Sequence, residues 1–306
     1  MKSWLIFVGL MMALCIPAKA EQVVVSVEPL RLIIAPLLKD VADVDVLIRP
    51  GQSPHYYALK PSDIVKMNRA RLTLWFGLSL EPFLTKAIAR LPSEQVIQLD
   101  KLDLAWRSLS EPEHDHSQAH EKGHEHHDHE SSDIDPHFWL SPSFVRQVLG
   151  QVVKELSRHF PNQAEQISSN QQQFDAELIE IEKSVSVSLE EVRSQAFVTY
   201  HRSLEYFVAE FALNQQGIIA ANLERNLSGK TLLELRKQIQ QNNVVCILSE
   251  PEFSQVNLTK VIQGMAVKQV EVDLLGVKLS PDNANYLALI HTLAEDVHRC
   301  LNLDAP

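Results

Sequence analysis

The stretch EQVVVSVEPLRLIIAPLLKDVADVDVLI, residues 21–48, contains the unit from which the fold is read. VVVSV (23–27) is a short β-branched run, PLRLIIAPLLKDV has a helical pattern, and VDVLI (44–48) is β-branched again. β-Branched side chains favour the pleated strand, and strand–helix–strand order sets two strands parallel with a helix across one face. The unit recurs. PSDIVKMNRA reads as a helix with Ser62 as its N-cap, RLTLWF (71–76) as a strand, LEPFLTKAIARL as a helix and QVIQL (95–99) as a fourth strand. After an interruption the alternation restarts. AFVTY (196–200) is followed by a helix from Leu204, QQGIIA (215–220) by a helix from Gly229, and VVCILS (244–249) by a helix near 255–263. KQVEV (268–272) then precedes a last helix from about Asp282 to Leu301. The fold class is α/β, with two (β/α) lobes of parallel-type sheet.

Helical segments join the lobes. Val145, Val148, Val152 and Leu156 mark a helix that stops near Pro161. Ile167, Phe174, Leu178, Ile181, Val185, Leu189 and Val192 then form one apolar stripe, which predicts a single long connecting helix over 162–192. The alternative is two helices broken near Ser184–Ser188. The N-terminal lobe is expected over 21–161 and the C-terminal lobe over 193–306, with a cleft between them. Ligands of such sheets sit at the carboxyl ends of the strands.

The first twenty residues, MKSWLIFVGLMMALCIPAKA, are read separately. Lys2 precedes an apolar run at 4–16, and Ala18-Lys19-Ala20 has the small-x-small pattern of a signal-peptidase site. Residues 1–20 are therefore expected to be a cleaved signal peptide, and the mature chain to reach the periplasm. A lipoprotein at Cys15 is disfavoured because Leu14 before it is not small. Losing Lys2 and Lys19 takes the formal charge of −11 to a more acidic value by two. That charge argues against nucleic acid or an anionic membrane as partner. Cys246 and Cys300 remain, and an even pair in an exported chain reads as a disulfide or as two buried thiols.

Residues 107–134 carry no hydrophobic period and are expected to be a disordered loop. They hold His114, His116, His120, His124, His126, His127 and His129, seven of the chain's 13 histidines. HEKGH (120–124) matches the zincin string by letters only, since it contains Gly and lies in a polar run with no helical period. No spacing in the tract fixes a tetrahedral set, so it is expected to bind zinc weakly, as an auxiliary collector, or to act as a solvated spacer. GKT (229–231) lacks the earlier glycine of a P-loop.

Outside the tract, His159, His291 and His298 read as solvated surface residues. His55 in RPGQSPHYY, His137 in DIDPHFWLSP and His201 in FVTYHRS each follow a strand or loop facing the cleft. Three convergent imidazoles make a metal site, and this ligand type suits zinc above manganese or calcium. Asp273 in EVDLLGVKLSP also follows a strand; it is a possible fourth ligand or a turn residue.

RPGQSPHYYALKPSDIVKMNRARLTLWFGLSLEPFL, DPHFWLSP, FVTYHRSLEYF, CILSEPEF and VDLLG occur in that order. Together they resemble the successive motifs of the metal-binding solute receptors of high-affinity zinc uptake ABC transporters. The resemblance runs over essentially the whole mature chain and includes a His- and acid-rich insert before the second ligand motif. It implies two lobes, a connecting backbone helix and Zn²⁺ held between the lobes by His55, His137 and His201. Asp273 stands on the family's acidic fourth-ligand position, which in zinc members often yields to water. The resemblance further implies a monomeric, non-enzymatic protein that hands its ion to a membrane permease, and a disulfide between Cys246 and Cys300. Manganese relatives tend to carry a carboxylate where His201 stands. Two positions depart from the family pattern: Pro54 replaces an acidic residue before the first ligand His, and Arg202 replaces an Asp after the third. The alternatives are a manganese receptor or an exported zinc hydrolase. The hydrolase lacks a base beside His55 or His201, Glu205 lying a turn further down the following helix.

Overall fold

The computed structural model describes residues 22–52, 54, 57–109, 134–219, 229–251 and 255–303. The leader residues, His55 and the histidine tract lie outside the described residues. The N-terminal lobe is built from β1 (Gln22–Val27), α1 (Glu28–Leu37), β2 (Asp43–Ile48), α2 (Pro61–Arg69), β3 (Leu72–Trp75), α3 (Thr85–Ile88) and β4 (Val96–Gln98). α4 (Pro142–His159) and α5 (Ala164–Ser188) follow. The C-terminal lobe comprises β5 (Phe197–Thr199), α6 (Glu205–Phe211), β6 (Gln215–Ile218), α7 (Gly229–Gln241), β7 (Cys246–Ser249), α8 (Gln255–Ile262), β8 (Lys268–Glu271) and α9 (Tyr286–Leu301).

Both sheets are parallel and share one topology, β2-β1-β3-β4 and β6-β5-β7-β8. In each, strand order reverses between the first and third strands of the lobe. That reversal opens a crevice at the carboxyl ends of the two central strands. The strands form where the β-branched runs stand, and the central ones are buried on both faces, as helix-covered parallel strands must be.

Three local expectations differ from what is observed. α2 is capped at Lys60, not Ser62: Pro61 takes the first helical position, and the Asp63 carboxylate reaches back to Lys60 N at 2.8 Å. LEPFLTKAIARL forms only a 3₁₀ turn at Pro82–Leu84 and the single-turn α3. The apolar stripe over 162–192 is helical to Ser188 and finishes as a 3₁₀ turn at Glu190–Val192. α5 nevertheless spans both lobes, packing against α4, α1 and α9. One of its buried residues is polar: Asn170 Nδ2 donates to Leu37 O (3.0 Å) and Lys39 O (2.9 Å), satisfying carbonyls at the end of α1.

The lobes do not have separate cores. Val23–Val25 of β1, the aliphatic face of α1, Leu72 and Leu74 of β3 and the stripe of α5 belong to one buried cluster. Phe207 of α6, Leu248 of β7 and Leu293 of α9 belong to the same cluster. Among the described residues the far face of the second sheet has a cluster of its own, with Val198, Tyr200, Ile239, Ile247 and Val261. Glu210 of α6 reinforces the union, accepting from the Ser141 hydroxyl and from Ser143 N (3.0 Å) at the start of α4. Cys246 and Cys300 are buried and disulfide-bonded, Cα atoms 5.7 Å apart, tying β7 to the end of α9.

At the crevice end of the first sheet a carboxylate is fully buried. Glu81 accepts from the Ser26 hydroxyl, Gly77 N (3.0 Å) and Phe76 N (3.4 Å). Gly77, at φ +146°, is required here, because a Cβ would stand 2.1 Å from Asp100 Oδ2. Burial pushes the Glu81 carboxyl up to about 7, against the three hydrogen bonds and with some help from the Asp100 charge. An unfolded Glu ionises near 4.3, so between there and about 7 only the unfolded chain has lost this proton. Stability from this group is therefore present at acid pH and is lost as pH rises through 7, by about 3 kcal/mol. Urea unfolding at pH 5 and pH 8 should show this loss in the native sequence and not in Glu81→Gln. Equal losses in both proteins would remove Glu81 as its source.

Candidate metal centre

His201 leaves the carboxyl end of β5, one of the two central strands of its sheet. The register that pairs Phe197 with Cys246 and Thr199 with Leu248, continued two residues, sets His201 opposite Glu250. Glu250 Oε1 lies 2.7 Å from His201 Nδ1 and also accepts from Ser203 Oγ at 3.1 Å. His137 is oriented in the same manner by a local turn. Asp135 Oδ1 accepts from His137 N at 3.0 Å and lies 2.8 Å from His137 Nδ1. Behind it Phe138, Trp139 and Leu140 are fully buried. Trp139 Nε1 donates to Leu274 O (2.9 Å), and Tyr286 Oη donates to Trp139 O (2.7 Å). The His137 segment is thereby fastened to the loop that carries Asp273 and to α9.

These fastenings bring the two imidazoles together across the lobes, ring centroids 5.6 Å apart at 73°. Both rings are about 95 % buried. At His137, giving Nδ1 to Asp135 fixes the tautomer whose lone pair is on Nε2, which is how metal-ligating histidines are commonly oriented; at His201 the Glu250 carboxylate stands beside Nδ1 as an ion-pair partner. Asp135 and Glu250 were not singled out as site residues from the sequence. DPH carried a usable signal for Asp135, two residues from its partner. Glu250 becomes visible only with the β5–β7 register.

The surroundings favour a cation. Asp135, Glu250 and Asp273 are buried, and Glu205, at the start of α6, is partly so. Burial, then the Asp135 charge, raises the Glu205 carboxyl above its usual range. For His137, burial works downward, but the Asp135 hydrogen bond and charge, joined by Glu250 and Glu205, outweigh it and leave the imidazole above its ordinary value.

Asp273 Oδ1 accepts from Leu275 N (3.1 Å) and Oδ2 from Lys278 N (2.6 Å), so its carboxylate holds the turn after β8. Among the described residues no three His, Cys, Asp or Glu side chains converge at metal spacing. Arg202 Nη1 donates to Leu109 O at 2.6 Å. Leu109 is the last described residue before the histidine tract. Ser108 and Ile134 form an antiparallel bridge, and Asp135 N donates to Arg107 O (2.9 Å). The described residues on either side of the tract, Arg107–Leu109 and Ile134–Asp135, are thus tied to the segments that carry His137 and His201. Among the described residues no helix is long and apolar enough to cross a membrane.

A family model described as the periplasmic zinc-uptake complex component A, ZnuA, matches residues 23–300. The high-affinity zinc uptake system protein ZnuA of Haemophilus ducreyi is 30% identical over 287 residues, 91% of this chain and 93% of the relative. Its namesake in Yersinia pestis is 29% identical over 288 residues, 91% of each. A crystal structure of ZnuA matches with a TM-score of 0.76 at 22% identity, covering 93% of this chain and all of that one. A Mn-bound periplasmic metal binding protein from Candidatus Liberibacter asiaticus matches at 0.74 and 19% identity, over 92% of this chain and all of that one. At those identities the two structures speak for the fold.

Proposed function

We propose that this chain, which belongs to the family of periplasmic zinc-uptake complex component A proteins, is the receptor that captures Zn²⁺ in the periplasm and delivers it to an ABC permease. The observation that carries the reading is the pair of buried imidazoles at the meeting of two crevices, each with a carboxylate within 2.8 Å of its Nδ1. Two oriented Nε2 lone pairs in an acidic pocket suit a borderline divalent cation. His55, on the loop after β2, is the third ligand in this reading. Asp273 or a water completes the set; Asp273 already holds its turn, which favours water. The cargo is bound and released unchanged, without catalysis, by a monomer.

A manganese receptor is the second reading, and the Mn-bound relative of the same fold keeps it in view. The imidazole at position 201, where a carboxylate would better suit manganese, favours zinc. Elemental analysis of protein purified without added metal, followed by competitive titration with Zn²⁺ and Mn²⁺, tests both. One tight zinc equivalent, surviving deletion of residues 112–131 while weaker equivalents vanish, is the expected result. Tight manganese with weak zinc would replace the first reading by the second. Loss of the tight equivalent on deletion would move the receptor site into the histidine tract.

A further inference from the structure

The geometry points to a second divalent-cation site on the surface, formed by His291, Glu295 and His298 of α9 and distinct from the centre between the lobes. These residues stand at i, i+4 and i+7, so all three project from one face of the helix. They line a recess of about 390 Å³ whose opposite wall is Ser184, Val185 and Ser188 of α5. His291 and Glu295 are exposed and His298 is half-buried, so the donors line an open surface groove that an ion reaches directly from solvent.

His291 Nδ1 and Glu295 Oε2 are 3.5 Å apart. That is longer than an ordinary N–H···O bond, which runs to about 3.2 Å. It is close to the edge of a zinc tetrahedron, since two donors each about 2.0–2.1 Å from the ion stand roughly 3.4 Å apart. The pair has the bite of a metal clip. His298, one turn beyond Glu295, supplies a third donor by side-chain rotation; the three are not preassembled. Ser184 and Ser188 offer hydroxyls to waters completing the shell.

The backbone adds to the attraction. α5 ends at Ser188 and α9 at Leu301, so both helices turn their carbonyl ends toward the part of the groove that holds Ser188 and His298. Helix carboxyl ends carry partial negative charge and favour cations. Nearby Arg299 is paired with Asp296. The site is also remote from the cleft. The disulfide joins Cys300, two residues past His298, to the first residue of β7, whereas His201 lies at the opposite, carboxyl end of these strands.

The ligand class is a borderline divalent ion of the zinc type, bound through one or two imidazoles, one carboxylate and water, and more weakly than in the cleft. The test uses the chain with residues 112–131 deleted, titrated with Zn²⁺ against competing chelators, with the histidine ring signals followed by NMR. Two equivalents are expected, the weaker one perturbing His291 and His298. His291→Ala with His298→Ala should abolish the weaker equivalent, and Glu295→Gln should weaken it roughly tenfold. The tight equivalent should not change in either variant. The replaced residues are mainly surface groups, and thermal unfolding checks that the fold is kept. A single equivalent in the tract-deleted chain, or a weaker equivalent indifferent to the double replacement, would overturn the site. The tight equivalent is read in the same titration, so failure there is seen separately.

Discussion

Zinc affinity is expected to fall at least about 100-fold when either His137 or His201, the ligands proposed above, is replaced by Ala, because a lost ligand should cost no less than the upper range for a lost orienting partner. Each ring is buried against its own carboxylate, so truncation also leaves Asp135 or Glu250 without that partner in a low-dielectric pocket. Asp135→Asn and Glu250→Gln keep the rings and remove the charge; a loss of about 10–100-fold is expected for each. The pH profile separates orientation from mere packing. Zinc must displace the proton on Nε2, and His137 is held above its ordinary 6.5 once the Asp135 bond and charge outweigh burial. As pH is lowered, affinity should therefore begin to fall at a higher pH than an ordinary imidazole would set, and Asp135→Asn should move that onset toward acid. The stability of the metal-free fold has the opposite sign. Its contribution from protonated His137 is complete at low pH and lost as pH rises through the raised value. Competitive titration between pH 5 and 8 measures the first effect. Wild-type affinity in both Ala variants would place the ion elsewhere.

Opening the Cys246–Cys300 bridge is expected to cost about 4 kcal/mol in the chain-entropy description for a sequence separation of 54. Domains commonly have only about 5–15 kcal/mol in total, so the loss is a large share. The bridge closes β7 onto the last helix, and both half-cystines are fully buried in the common core. Cys246→Ala with Cys300→Ala, or reduction of the native protein, should lower the urea midpoint and steepen the slope, because the unfolded chain without the cross-link is less compact. Denatured protein lacking residues 1–20 should show no reactive thiol before reduction. Two reactive thiols, or a midpoint unmoved by reductant, would exclude the bridge as a source of stability.

Strands were legible wherever β-branched residues clustered, since buried parallel strands announce themselves by composition as much as by period. VVVSV and VDVLI became β1 and β2 within a residue at either end. LEPFLTKAIARL misled because its apolar residues fit a helix, while Glu81 is drawn under the sheet by Ser26, Phe76 and Gly77 and bends the chain first. α5 was legible by its stripe, but Asn170 was not, because its partners Leu37 and Lys39 are far away in sequence. The same limit applies to the centre. His137 and His201 could be chosen because each ends an element facing a cleft. Their juxtaposition depends on Trp139 reaching Leu274 and on Tyr286 reaching Trp139. Arg202, which departs from the family pattern after the third histidine, spends a donor on Leu109 O, a partner that sequence alone could not assign.

The shared core makes α9 a condition of folding. α9 is the last element among the described residues, and its Tyr286, Leu289, Ile290, Leu293, Val297 and Leu301 are all buried. They cover parts of α5, β7, β8 and α1, so elements from both lobes wait on it. A chain stopped by a premature codon before residue 286 would retain nearly every strand, yet expose the apolar face of its connecting helix and lack the partner of Cys246. Such a product is a substrate for proteolysis and not a weak receptor, because transiently open apolar surface is what proteases and chaperones detect. This sixteen-residue helix acts as a checkpoint on synthesis: only a chain translated through it is expected to persist and compete for zinc.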